Sequence, residues 1–456
     1  MFNSFKMLAV LVAISLGAMI GPLDTSVNVA FPFIVKDLNQ PLEMIRYVVI
    51  CYVLTYSSLM LVCGKLGDIH GQRRIFFTGL IISSASFILI SLSWSFESLL
   101  FFRFLQGIGT GLTTSVAPAM MIVLYPEEKR GYAVGLFTFI FAMGGLLGPV
   151  AGGFLVELFG WQAVFWFRIP LALASFIILI FTNSFERQQK NTSLDKLGAI
   201  LLILSILMWL LAINQLHNLN ESGILYVLCL VISASALTFW FIRQENHTDD
   251  PIINLVIFRN IEFVILNLAS CFTYLATFSV ILFIPFFLYQ ISTISTNEAG
   301  LILAIGFFGT SIAGILGGRL LNNLGPRRLG FTGILITAIG LCALSLINGP
   351  DDIPWMLLAL FIQGVGTGLF QTSYMYSITG MLPSDQRGVS GSITMLTRTI
   401  GVVSGVTILT LIFSWLDNAG NEFQESFKFI FNLVGGGLFV FLLTTLPWRQ
   451  VWFRKI

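Results

Sequence analysis

The chain has 456 residues, of which 56% are hydrophobic and only 10% are charged, with a net charge of +2 and a mean hydropathy of +0.90. Soluble domains carry about 25% charge, so this chain has too little polar surface to cover a core in water. Intrinsic disorder needs the opposite composition, which leaves a polytopic membrane protein.

A membrane helix needs roughly 20 apolar residues. Fourteen apolar segments follow along the chain, at 7–33, 46–63, 75–94, 98–124, 131–157, 162–184, 197–215, 224–242, 261–290, 298–317, 329–348, 353–379, 389–416 and 429–448. They are too long and too uniformly apolar for barrel strands, so each is expected as a helix. The first run, Met7 to Leu23, is longer than a signal-peptide core, and no small-residue cleavage pattern follows it. It is therefore expected to be the first span. The five cysteines lie in apolar runs without a C-x-x-C pair. They read as small buried apolar residues, not as a disulfide framework or a metal site.

With both termini placed in the cytoplasm, the inside loops hold eighteen of the 24 Lys and Arg. The outside loops hold Lys36, Arg46 and Lys428. That asymmetry predicts the orientation. Arg103, Arg168 and Arg398 fall within spans.

Three blocks recur in the same order. Leu105 to Leu112 (LQGIGTGL) returns as Ile362 to Leu369 (IQGVGTGL), offset by 257. Pro126 to Gly131 (PEEKRG) returns as Pro383 to Gly388 (PSDQRG) at the same offset, and Gly64 to Arg74 returns as Gly318 to Arg328, offset by 254. The repeat predicts two six-helix halves in parallel orientation, 1–184 and 261–456, a transporter architecture. Residues 185–260 then form a linker with two inserted spans. Its second polar stretch, Arg243 to Asn260, ends in a short apolar segment expected along the membrane surface.

Four segments carry unusual chemistry. The loop after the second span reads Gly64-x-Leu66-Gly67-Asp68-x-x-Gly71-Gln72-Arg73-Arg74. Its glycines permit close approach and a tight turn. Asp68 can sit at a helix N-terminus or pair with a cation such as Arg130. The fourth span carries Arg103-x-x-Gln106-Gly107-x-Gly109-x-Gly111. An Arg inside a span costs about 2.5–3.5 kcal/mol on insertion scales, so Arg103 should face a cavity or a partner, unless it snorkels to the interface. The fifth span carries Gly144-Gly-x-x-Gly148-Pro149-x-x-Gly152-Gly153, a smooth helix face with a proline bend. Asp24 is the one acidic residue far from the ends of any span. A buried carboxylate that can take up a proton is what proton coupling requires, and a structural pairing with an Arg is equally compatible.

These blocks resemble the signature motifs of the major facilitator superfamily, and the fourteen-helix drug:proton antiporter branch most of all. The resemblance covers essentially the whole chain. It implies an all-α polytopic membrane protein with the major facilitator fold, two six-helix halves plus two inserted helices, and both termini cytoplasmic. It implies a cytoplasmic latch at Gly64, Asp68, Gly71, Arg73, Arg74 and Arg130, with Ile69 standing where the family often has Arg. It implies an antiporter motif at Gly144, Gly148, Pro149, Gly152 and Gly153, read as a tightly packed seam between the halves. Asp24, Arg103, Arg168 and Arg398 are the expected residues of proton coupling and the transport path. Arg168 stands where relatives usually carry Asn.

The implied function is proton-coupled export of small amphipathic compounds, of the multidrug-efflux type, across the cytoplasmic membrane of a bacterium. Three embedded Arg against one Asp keep a second reading open, export of an anionic or zwitterionic metabolite such as a siderophore. The Gly-Pro motif argues against an uptake symporter. An enzyme is disfavoured, because there is no ATP-binding Gly-Lys-Ser/Thr loop and the pairs Asp249-Asp250 and Asp351-Asp352 lack the spacing of a prenyl-transfer site. The three histidines, His70, His217 and His247, lie near loops. No metal, cofactor or nucleic acid is expected. Partners are the substrate, protons and lipid, with room for an accessory envelope protein, and the oligomeric state is left open. The 43 phenylalanines are expected mainly as lipid-facing filler.

Overall fold

A computed structural model describes residues 4–41, 44–182, 193–216, 221–290, 296–383 and 386–453. Arg187, Lys190, His217, Ser384, Asp385, Arg454 and Lys455 lie outside the described residues. Fourteen helical segments are long and apolar enough to cross a membrane. The first is formed by α1 (Ser4–Met19) and α2 (Ser26–Asp37), and α3 (Ile45–His70), α4 (Gln72–Ser91), α5 (Phe96–Leu124) and α6 (Arg130–Phe159) follow. The sixth is formed by α7 (Ala163–Trp166) and α8 (Ile169–Thr182). The inserted pair is α9 (Lys196–Gln215) and α10 (Glu221–Glu245). Then come α11 (Ile261–Gln290), α12 (Thr296–Leu324), α13 (Pro326–Leu344), α14 (Ile353–Met381), α15 (Arg387–Asn418), α16 (Phe423–Thr445) and the short α17 (Arg449–Phe453).

Local chemistry sets the helix ends. Ser95 and Ser98 cap α5 reciprocally, each side chain accepting the other's backbone N–H at 3.2 and 3.1 Å. Asp195 caps α9 by accepting the Gly198 N–H at 3.0 Å. Gly71 and Gly325, with φ of 95° and 77°, make the turns into α4 and α13. These two positions correspond in the repeat, and a backbone there favours glycine. The stretch Gly64 to His70, expected as loop, is the last part of α3. Its apolar Leu66 and Ile69 continue the helical pattern, and only Gly71 turns.

Two expected spans are interrupted. The first breaks between Met19 and Ser26, where Pro22–Thr25 forms a short 3-10 turn. Pro22 lacks an N–H and cannot continue the ladder of α1. The sixth breaks at Phe167 and Arg168, just before Pro170. Both breaks fall in the first half, and their counterparts α11 and α16 run uninterrupted.

The halves meet along two seams related by the repeat. On one, α3 and α5 pack against α15; on the other, α6 packs against α12. Small residues let the backbones touch. A Cβ on Gly131 would lie 2.7 Å from the Gly318 carbonyl oxygen, and one on Gly135 would lie 2.6 Å from that of Gly314. Gly64 and Gly388, the repeat mates of Gly318 and Gly131, abut in the same way on the other seam. Gly144, Gly148 and Gly152 do not form this seam, contrary to expectation. They face the break of the first span, against Met19 and Pro22, Thr25, and Ser26 respectively. Their side of α6 receives the bulge that the 3-10 turn creates, and Pro149 and half-buried Gly153 lie on the same helix.

Asp68 fastens one seam. Its carboxylate accepts the Gly388 and Val389 backbone N–H groups at 2.7 and 3.1 Å, at the N-terminus of α15. An anion there meets unsatisfied donors and the positive end of the helix dipole. Arg130 is not its partner; it pairs with Glu127 at 3.8 Å. The repeat mate of Asp68 is Asn322, which is exposed, so only one seam carries this clasp. Arg73 donates to the carbonyls of Leu179 and Ile180 at the end of α8, and Arg327, its repeat mate, donates to that of Gln450. Arg74 is exposed.

The inserted pair is attached at this seam through α9. Helix α9 touches both α3 and α15, and Lys65 donates to the Pro251 carbonyl at 2.6 Å. The stretch expected along the membrane surface is partly anchored, with Ile252 and Ile253 buried and Val256 and Phe258 exposed. Phenylalanine is not mainly outward filler: among the described residues fourteen are buried and fourteen exposed. Cys229 is exposed, on the outer face of α10, whereas Cys63 is buried.

Two outcomes follow from this packing. Gly152→Val places a Cβ 2.9 Å from Ser26 and should cost about 1–3 kcal/mol of stability, read as a lower thermal midpoint in detergent. Gly436→Ala, which meets open space, should leave the midpoint unchanged. Asp68→Asn removes a charge worth about 1 kcal/mol at the helix terminus. Spin labels at the exposed Arg74 and Asn323 should then report a longer-distance population raised roughly fivefold.

Candidate functional site

The two interrupted spans face each other, and each break presents a charged side chain. Asp24 lies in the 3-10 turn of the first. Arg168 lies in the gap between α7 and α8. Between them comes Arg103, about two turns into α5 from its start.

Asp24 is held from three sides. Arg103 binds it in a two-pronged fashion, Nη1 to Oδ1 at 2.8 Å and Nη2 to Oδ2 at 2.9 Å. Arg168 Nη1 donates to Oδ1 at 2.8 Å, and Gln106 Nε2 donates to the same oxygen at 2.9 Å. The guanidiniums are fixed in turn. Arg103 donates through Nε to the Val48 carbonyl at 3.0 Å and through Nη1 to Gln106 Oε1 at 2.8 Å. Arg168 Nη2 donates to Ser26 Oγ at 3.0 Å. Aromatic faces complete the cage, with Tyr52 4.6 Å from the Arg103 guanidinium carbon and Phe87 5.3 Å from that of Arg168.

Burial is unequal within the cluster. Both arginine side chains are fully buried, and that of Asp24 is 15% exposed. Of the three side chains, only that of Asp24 has any exposed surface. Snorkelling of Arg103 is ruled out, because it has an anion and a carbonyl within reach and no exposed surface. The three charges sum to one positive charge, and Arg168 Nε is buried without a partner.

Arg398 stands apart from this cluster. It is half-buried in α15, 4.7 Å from the Phe141 ring centre and 5.3 Å from that of Tyr274. Around it the second half is polar but uncharged. Tyr374 donates to Asn267 at 2.9 Å and shares a 2.7 Å hydrogen bond with Thr397. Gln363 donates to Thr277 and Thr367 at 3.2 and 2.9 Å. Gln363 is the repeat mate of Gln106, so the first-half acid is replaced by a hydroxyl here. The mate of Arg103 is Leu360.

Ser26 and Tyr52 also belong to the cluster, and nothing in the sequence analysis points to them. Gln106, named in the fourth-span motif, joins them, since three residues after Arg103 it shares a helix face with it. The break itself was readable in Gly21-Pro22. Among the described residues no group of His, Cys, Asp and Glu could hold a metal.

The model of the Major Facilitator Superfamily matches residues 8–251 and 266–451. A multidrug transporter protein of Bacillus subtilis, MdtP, is 28% identical over 84% of this chain and 71% of its own length. The riboflavin transporter RibZ of Clostridioides difficile is 26% identical over 89% of this chain and 88% of its own. The crystal structure of the human organic anion transporter MFSD10 superposes with a TM-score of 0.70 at 14% identity, covering 97% of this chain and 99% of that one, a likeness of fold. The chain is therefore a membrane transporter rather than an enzyme, and it belongs to the major facilitator superfamily.

Proposed function

We propose that this transporter is a proton-driven exporter of small amphipathic compounds that works by alternating access in the cytoplasmic membrane of a bacterium. The observation that carries this reading is the Asp24 cluster, an acid placed at a helix break, partly open, and bonded to two cations that are not. Similarity to relatives named as multidrug transporters supports the substrate class.

The mechanism follows from charge. With Asp24 ionised, its oxygens accept from Arg103, Arg168 and Gln106 and tie the 3-10 turn of the first span, α5 and the α7–α8 break together. A proton on the carboxyl removes the charge that holds both guanidiniums and turns one acceptor oxygen into a donor. The two interrupted spans are then free to shift against α5. The halves rock about the glycine seams, and the Asp68 clasp on α15 opens the face that is closed here. Loss of the proton to the inside restores the cluster. One proton crossing 100 mV supplies about 2.3 kcal/mol, and each pH unit adds roughly 1.4. Together these sustain a substrate gradient on the order of a few hundredfold.

The second reading, export of an anionic or zwitterionic metabolite, is favoured by the net positive charge of the embedded side chains. Arg168 does not bear on it in this conformation, because its guanidinium is spent on Asp24 and Ser26.

Everted vesicles test the coupling. Asp24→Asn keeps the shape and removes the titrating group. Uptake driven by an imposed pH gradient should fall to the level of vesicles without the protein. Unchanged gradient-driven uptake would remove Asp24 from the coupling step.

A further inference from the structure

The repeat fixes where Arg398 sits. Gly131 and Gly388 correspond at an offset of 257, and Gly144 and Gly148 match Gly401 and Gly405 in the same register. No gap intervenes, so the mate of Arg398 is Phe141. These two residues, one from each half, are in contact at 4.7 Å. A residue that touches its own symmetry mate lies at the axis relating the two copies. In a transporter of parallel halves that axis runs along the membrane normal through the central path. Arg398 is eleven residues into the 32-residue α15, about 16 Å along the helix and well away from either end.

Its surroundings contain no answering anion. Rings of Phe141 and Tyr274 flank the guanidinium, and among the described residues no hydrogen bond or ion pair to it is found. Asp24, the one acid far from the ends of a span among the described residues, is already paired with two other arginines. A lipophilic cation arriving here would meet a positive path with no carboxylate to receive it. An anion would meet a planar fork of five N–H donors and two aromatic faces. Neutral hydroxyls and amides stand nearby, since Thr397, next in the chain, bonds Tyr374 and Ser270. On its other side Thr399 meets the Tyr56 hydroxyl at 3.4 Å. The rings of Tyr56 and Tyr52 lie 5.0 Å apart, and Tyr52 covers Arg103, so the axis and the Asp24 cluster are joined by two side chains of α3.

We propose that Arg398, held between Phe141 and Tyr274 at the axis between the halves, receives the anionic group of the substrate, and that the transported class is organic anions with a flat apolar body. This specifies the substrate of the exporter proposed above and depends on that reading only for the direction of transport.

The test is equilibrium binding to the purified protein in nanodiscs, by titration calorimetry with empty nanodiscs subtracted. The probes are naphthoate and naphthylmethylammonium, equal in bulk and opposite in charge. Naphthoate should bind tighter by about tenfold or more, the worth of a charge-assisted hydrogen bond. Arg398→Gln should abolish that preference. Arg398→Lys should keep the sign and lose part of the size, because a point charge lacks the planar fork. Equal or tighter binding of the cation, or a preference that survives Arg398→Gln, would overturn the proposal. Should Arg398→Gln aggregate, the wild-type ratio and Arg398→Lys decide by the same criteria. No gradient is present in this experiment, so it stands or falls independently of the Asp24 assay.

Discussion

A carboxylate in a membrane interior must find cations, and the first half is organised around that demand. Asp24 cannot be left alone in a low-dielectric bundle, and neither can Arg103 or Arg168. The three meet where two spans are broken, in the 3-10 turn that holds Asp24 and in the gap that holds Arg168. Gly21-Pro22 and Pro170 supply those breaks. Gly144, Gly148 and Gly152 then clear a face of α6 for the displaced backbone. Removing one member of a buried pair typically costs about 3–5 kcal/mol, because the remaining charge is left unanswered, so each of the three side chains holds the others in place. The cluster also stores the one change, neutralisation of Asp24, that would release several helices together.

The two halves share a fold and divide the chemistry. Gln106 and Gln363 occupy equivalent positions, yet one serves an ionised acid and the other a threonine hydroxyl. Arg103 is answered by Leu360, and Arg398 by Phe141. Even the seams differ, since Asp68 clasps α15 while Asn322 faces solvent. Pseudo-symmetry therefore provides two matched helix bundles, and the embedded charges sit where it is broken. The inserted pair contributes α9, which lies across one seam and touches both bodies.

The fourteen spans, the repeat and the identity of the embedded charged residues were all legible from composition and spacing, because each follows from insertion energetics or from self-similarity. The pairing of those charges was not. Asp24 and Arg103 are separated by more than two spans, and periodicity carries no information on contacts at that range. The role of the Gly-Pro stretch was misplaced for a related reason. A smooth helix face announces close packing but not its partner, and α6 has glycines on two faces, one for α12 and one for the broken first span. Asp68 reads from the sequence as an anion suited either to a helix N-terminus or to a cation such as Arg130, and it meets a helix N-terminus. Which N-terminus, that of α15 in the other half, depended on the tertiary fold.

The central claim is that Asp24 is the group through which proton movement enters the transport cycle. The most direct measurement is solid-supported membrane electrophysiology on proteoliposomes given an acid jump without substrate. Wild-type protein should give a transient current as protons bind within the membrane field, and Asp24→Asn protein, recovered as the same monodisperse species, should give none. An undiminished current from Asp24→Asn would contradict the account.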